Sequence, residues 1–82
     1  MSKYKNQLKW FVGVMDKKLS ENIEKEPWDK LSIRTLLCLL DGERGELREA
    51  INSGTNNDII LECADVANFA MMIADIYRKA EP

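Results

Sequence analysis

Glu43-Arg44-Gly45-Glu46 and Glu62-Cys63-Ala64-Asp65 decide how this chain is read, because each sets two carboxylates where a helix of this pattern should carry apolar side chains. On a helix advancing about 100° per residue, Glu43 and Glu46 share a direction with Leu36, Leu39, Leu40, Leu47 and Ala50. The opposite direction has its own polar set in Asp41, Arg44, Gly45, Arg48 and Asn52, so a solvent side was available and the two acids are not on it. Glu62 and Asp65 repeat the pattern among Ile59, Ile60, Leu61, Ala64, Val66, Ala67 and Phe69. A buried unpaired carboxylate is costly and is normally neutralised or paired. If the two helices run antiparallel across Ser53-Gly54-Thr55-Asn56, the pairs face each other and four acids converge on a cation. Oxygen ligands alone suit a hard divalent ion, Mg²⁺ first and Mn²⁺ second. The chain has no histidine, which disfavours zinc and redox iron.

Working outward, the second helix spans about Ile33 to Asn52, with Ser32 as its N-cap and Ser53-Gly54 as its stop. Gly42 and Gly45 are unusual inside it, each costing up to about 1 kcal/mol relative to alanine, and close approach of a ligand or another helix would account for them. Thr55 and Asp58 have the spacing of a capping box for a third helix from about Asn57 to Lys79. That helix is apolar nearly all round, which marks it as central. The tail from Tyr77 to Pro82 is polar and is expected to fray. A first helix is expected over 3–24, with Tyr4, Leu8, Phe11, Val12, Met15, Leu19 and Ile23 on one face and Trp10 and Val14 on a second contact surface. Pro27 breaks the chain after it and biases Glu26 to an extended conformation.

The expected fold is therefore all-α, a single domain over 1–82 built as an antiparallel bundle of about three helices per chain. Eighty-two residues make a small core, and three helices do not surround an all-round apolar one, so self-association into a dimer or tetramer is expected to complete it. A formal charge of −2 with scattered lysines provides no basic footprint for nucleic acid. The polar start lacks a signal-peptide pattern, and Glu62, Asp65 and Asn68 interrupt the most apolar run, against a membrane span. Cys38 and Cys63 lack metal-ligand spacing and are too few for a disulfide framework, as in a reducing cytoplasm.

A tryptophan, then ExxEL, then a short gap, then ExxD and an apolar run resembles the MazG-like all-α nucleoside triphosphate pyrophosphohydrolases. The residues are Trp28, Glu43-Arg-Gly-Glu46-Leu47, a gap of 15 residues, and Glu62-Cys-Ala-Asp65-Val-Ala-Asn-Phe, covering roughly 28–78. This resemblance implies Mg²⁺-dependent cleavage of a (deoxy)nucleoside triphosphate to the monophosphate and pyrophosphate. It implies Glu43, Glu46, Glu62 and Asp65 as metal ligands, with Glu46 and Glu62 as the catalytic pair and Glu46 the candidate for orienting the attacking water. Two departures stand out: Gly42 occupies a position where many relatives carry an acid, and no fourth long helix follows. Glu49 falls well round the helix from Glu43 and reads as a surface residue.

Four further residues are candidates for substrate contact, each with a structural alternative. Trp28 is a wall for a nucleobase or an aromatic plug. Asn68 is a polar contact beside the acids or a buried amide satisfied by a neighbouring helix. Arg78 and Lys79 are phosphate contacts or partners of the helix dipole. The competing functional reading is a non-catalytic helical oligomer that binds a nucleotide or a partner protein, in which the four acids pair with basic residues of a neighbour.

Overall fold

Side-chain caps set the two long helices where the sequence predicts them. Ser32 Oγ accepts from the backbone N–H of Thr35 at 3.0 Å and begins α2, Ile33–Ser53. Thr55 and Asp58 close a capping box, Thr55 Oγ1 accepting from the Asp58 N–H at 3.1 Å and Asp58 Oδ2 from the Thr55 N–H at 3.0 Å, and this begins α3, Asn56–Lys79. Gly54 links them in the extended region, φ −95° and ψ 177°, so it does not adopt the left-handed conformation common at helix stops. Space is what requires glycine: a Cβ there would meet the Ala50 carbonyl oxygen at 2.9 Å and the Asp58 Cβ at 3.2 Å.

This computed structural model describes residues 2–21 and 27–80, and all of its regular structure is helical. The first helix, α1, is Lys5–Ser20, shorter at its start than the expected 3–24; the expected continuation through Ile23, and the extended bias at Glu26, lie outside the described residues. Pro27 is extended, φ −55° and ψ 140°, and leads into a 3-10 turn, Trp28–Lys30, before α2. No helix among the described residues is long and apolar enough to cross a membrane.

Helix α3 is the shared element: α2 folds back on it as a hairpin and α1 packs against it, while among the described residues α1 and α2 do not pack on each other. The result is thin, 42 × 33 × 21 Å, about two helix diameters at its narrowest. Its Cα radius of gyration of 13.8 Å exceeds the ~12 Å of a compact chain this long. Among the described residues, Leu36 and Ala64 are the only buried apolar ones, and the polar Asn68 and Asp75 share their interior. Ala64, Asn68 and Asp75 fall at i, i+4 and i+11, one stripe of α3. Much of the predicted apolar face of α1 is uncovered, with Tyr4, Leu8 and Val12 all more than half exposed. Trp10, on the other side of that helix, is exposed and leans against Phe11 at 5.8 Å between ring centroids.

The structure bears on two further expectations. Nothing among the described residues lies within 4 Å of a Cβ built on Gly42 or Gly45, so no helix of this chain approaches them; both face open space. The C-terminal stretch does not fray from Tyr77, because α3 continues to Lys79, and Arg78 and Lys79 are held back onto Asp75. Glu81 and Pro82 lie outside the described residues.

Candidate functional site

The hairpin brings the two acidic motifs face to face. One carboxylate oxygen each from Glu43 of α2 and Glu62 and Asp65 of α3 lie within 4.8 Å of one another, and all three side chains are half-buried. Helical periodicity aligns each i, i+3 pair, and the tight Gly54 turn fixes the register in which they meet. Glu46 is exposed at the edge of this trio, close enough to hydrogen-bond with Glu43 and Glu62.

Electrostatics follow from that packing. Burial, hydrogen bonding to Glu46 and the charges of Glu46, Asp65 and Glu62 push the Glu43 carboxyl up to about 7. Glu62 is raised for the same reasons, burial first and Glu46 second, with Lys18 opposing. Glu43 Oε2 is buried and has no hydrogen-bond partner among the described residues. A buried acceptor left unsatisfied beside other carboxylates is the condition that a cation relieves.

A third helix also reaches the cluster. Lys18 of α1 sets its Nζ 3.6 Å from Asp65 Oδ2 and 3.5 Å from Glu21 Oε2. Burial lowers the Lys18 pKa, but Asp65 and Glu21 outweigh it and hold the ammonium above its ordinary value. Sequence reading missed Lys18, although a signal existed: it lies three residues after Met15 and seven after Phe11, a charge on the apolar face of α1. Beside the acids a cleft of about 450 Å³ opens between the end of α2 and the start of α3, with Lys18, Glu46, Glu49, Asp58 and Glu62 in its wall. That volume is within the range of small-ligand sites.

The four remaining sequence candidates divide. Asn68 is buried one turn from Asp65 and donates from Nδ2 to the Met15 carbonyl at 3.1 Å, tying α3 to α1, while its Oδ1 is buried without a partner among the described residues. Trp28, Arg78 and Lys79 gather elsewhere, around Asp75. Trp28 Nε1 donates to Asp75 Oδ2 at 3.0 Å, Arg78 Nε to Oδ1 at 2.7 Å, and Lys79 Nζ lies 2.9 Å from Oδ2. Those three donors hold the Asp75 carboxyl down at about 2. Asp75, also missed by sequence reading, follows Asp65 by ten residues, about 15 Å along α3. Within one chain the tryptophan and the two basic residues are therefore a separate group from the acids.

Comparison of the chain with protein-family models, curated proteins and solved structures finds no match.

Proposed function

We propose that the chain is a divalent-metal-dependent nucleoside triphosphate pyrophosphohydrolase, converting a (deoxy)nucleoside triphosphate and water to the monophosphate and pyrophosphate. The observation that carries this reading is the convergence of Glu43, Glu62 and Asp65 oxygens within 4.8 Å, two helices contributing acids from apolar faces. The orphaned Glu43 Oε2 and the raised Glu43 carboxyl fit a site that gains from a cation. Glu43, Glu62 and Asp65 would hold the ion, with Glu46 at the rim. When bound, Mg²⁺ or Mn²⁺ supplies charge neutralisation for the phosphates and lowers the pKa of a water. Glu46, exposed to the cleft, takes the role of accepting the proton of the water that attacks the α-phosphorus. The phosphoanhydride bond to the β-phosphate then breaks, and pyrophosphate leaves through the open side. The resemblance of ExxEL and ExxD to the MazG-like family supports the substrate class.

Self-association is part of the same proposal. Leu36 and Ala64 are a small buried core, while Tyr4, Leu8, Val12, Leu37 and Ile51 expose apolar surface that a second copy covers. A cytoplasmic location is also proposed, from free cysteines at Cys38 and Cys63. The second reading, a non-catalytic helical oligomer, draws on the Lys18–Asp65 pair, since it predicts acids matched by bases. It leaves Glu43 without an explanation.

The deciding experiment is pyrophosphate release from a panel of canonical and modified (d)NTPs, with Mg²⁺ and with EDTA, for wild type beside Glu62→Gln. Metal-dependent release that falls by about a thousandfold or more in Glu62→Gln is expected. Full activity in that variant would show the site to be wrongly assigned, and no release by wild type from any triphosphate would favour the non-catalytic reading.

A further inference from the structure

We infer that Lys18 is the residue of α1 that grips the polyphosphate of the substrate; the inference rests on the reading of the acid cluster as a nucleotide site. Three observations carry it. Its ammonium stands 3.6 Å from Oδ2 of Asp65, a member of the trio, and its side chain is 20 % exposed, so it is mostly covered yet open to the cleft it lines. Lys18 also lines the 450 Å³ cleft, whose other charged walls, Glu46, Glu49, Asp58 and Glu62, are all acidic. An anion entering there meets repulsion on every charged side except at Lys18. Finally, the lysine is held in place by its helix. Asn68 is 3 % exposed and bonds to the Met15 carbonyl, and one turn onward along α1 and one turn back along α3 stand Lys18 and Asp65.

Lys18 thus exchanges one partner for another at the acid cluster while Glu21 stays beside it. Before substrate arrives, its ammonium is a counter-charge shared by Asp65 and Glu21. A divalent ion takes over the charge of Asp65, and a phosphate oxygen of the nucleotide held at the acids then lies within reach of the same ammonium, because both partners occupy the same few ångströms. A lysine suits this exchange as a compact point charge on a flexible stem. Among the described residues of the cleft wall Lys18 is the one basic group, so it is the one positioned to offset polyphosphate charge there.

The test compares wild type, Lys18→Met and Lys18→Arg in the full chain. Calorimetry measures Mg²⁺ alone and then an α,β-methylene deoxynucleoside triphosphate in saturating Mg²⁺, and kinetics measure KM and kcat on the best natural triphosphate. Lys18→Met keeps most of the stem packing, so its helicity should match wild type. Its affinity for the methylene analogue should fall about ten- to a hundredfold, KM should rise in parallel, and Lys18→Arg should recover most of the loss. Binding of Mg²⁺ alone should stay equal or become tighter, since a competing cation has been removed. Unchanged analogue affinity and KM in Lys18→Met, with wild type active, would overturn the inference and leave Lys18 as a counter-ion of Asp65. A wild type that neither binds Mg²⁺ nor releases pyrophosphate would overturn the nucleotide reading itself, and the inference with it.

Discussion

Helix α3 carries carboxylates of opposite kinds. Asp75 is well compensated: an ammonium, a guanidinium and an indole N–H converge on it, and its carboxyl is held at about 2. Near the other end, Glu62 and Asp65 meet Glu43 across the hairpin, with Lys18 beside Asp65, and the Glu43 carboxyl is driven up to about 7. Both groups interrupt an apolar pattern, and the same cost of burying charge applies to both. An acid on an apolar face is therefore not by itself a functional signal. What separates the two is whether the fold supplies the compensating cations. Asp75 is compensated, and its role is to tie the 3-10 turn, and with it the start of α2, to the end of α3. The Glu43 cluster is undercompensated, which is unfavourable for stability and useful for holding an ion.

The sharpest way to break this comparison is to neutralise one carboxylate in each group. Glu62→Gln should remove about three orders of magnitude of pyrophosphate release, yet melt at the same or a higher temperature in EDTA, because one like charge has gone. Asp75→Asn should do the reverse, lowering the melting temperature by several degrees while leaving kcat nearly intact. If both variants lost stability without metal, the acids around Glu43 would be matched by partners after all.

Proton linkage sharpens the contrast further. Glu43 has a folded value near 7 against an ordinary 4.5, so its contribution to stability is complete below about 4.5 and is lost as pH rises through 7. Asp75 has a folded value near 2 against 3.8, so its contribution is present above 3.8 and is lost as pH falls through 2. Urea midpoints in EDTA should therefore decline from pH 4.5 to 7, and saturating Mg²⁺ should flatten or reverse that decline by favouring the ionised carboxylates. A flat profile in EDTA would remove the case for an undercompensated Glu43.

The smallest expected effect is at Trp28. Trp28→Phe keeps most of the ring's contact and loses the indole N–H to Asp75, which should cost about 1 kcal/mol, or ~4–8 °C in melting temperature for a domain of this size. Substrate affinity should not change, since the Asp75 group stands about 15 Å along α3 from Asp65 in the same chain. A large loss of nucleotide affinity would instead return Trp28 to the role of a base-stacking wall, supplied across an interface between copies.

Local chemistry was legible wherever it acts within a few residues. The Ser32 cap, the Thr55–Asp58 box and the helix periods were readable because hydrogen bonds to N–H groups three positions on depend on little else. The facing of Glu43 by Glu62 and Asp65 was also readable, as i, i+3 spacing plus a short turn leaves few alternatives. Lys18 and Asp75 were not found, although each breaks an apolar stripe. Their partners are 47 residues away, between Lys18 and Asp65, and 47 again between Trp28 and Asp75, and no period links positions so far apart. At Gly42 and Gly45 no other part of the described chain comes within 4 Å of an added Cβ, so no neighbour within the chain accounts for them.

Three helices, the bounds of the two long ones and the facing of Glu43, Glu62 and Asp65 follow from the sequence, whereas Glu46, expected in the apolar stripe beside Glu43, stands exposed at its edge. The helices and their bounds rest on backbone hydrogen bonding and the 3.6-residue period, which are local. Only the tertiary structure decided which carboxylates are compensated. Pairing of charges depends on which helix lies against α3 and in what register, and that is set by packing: the Gly54 turn for α2, and the Asn68 contact with Met15 for α1.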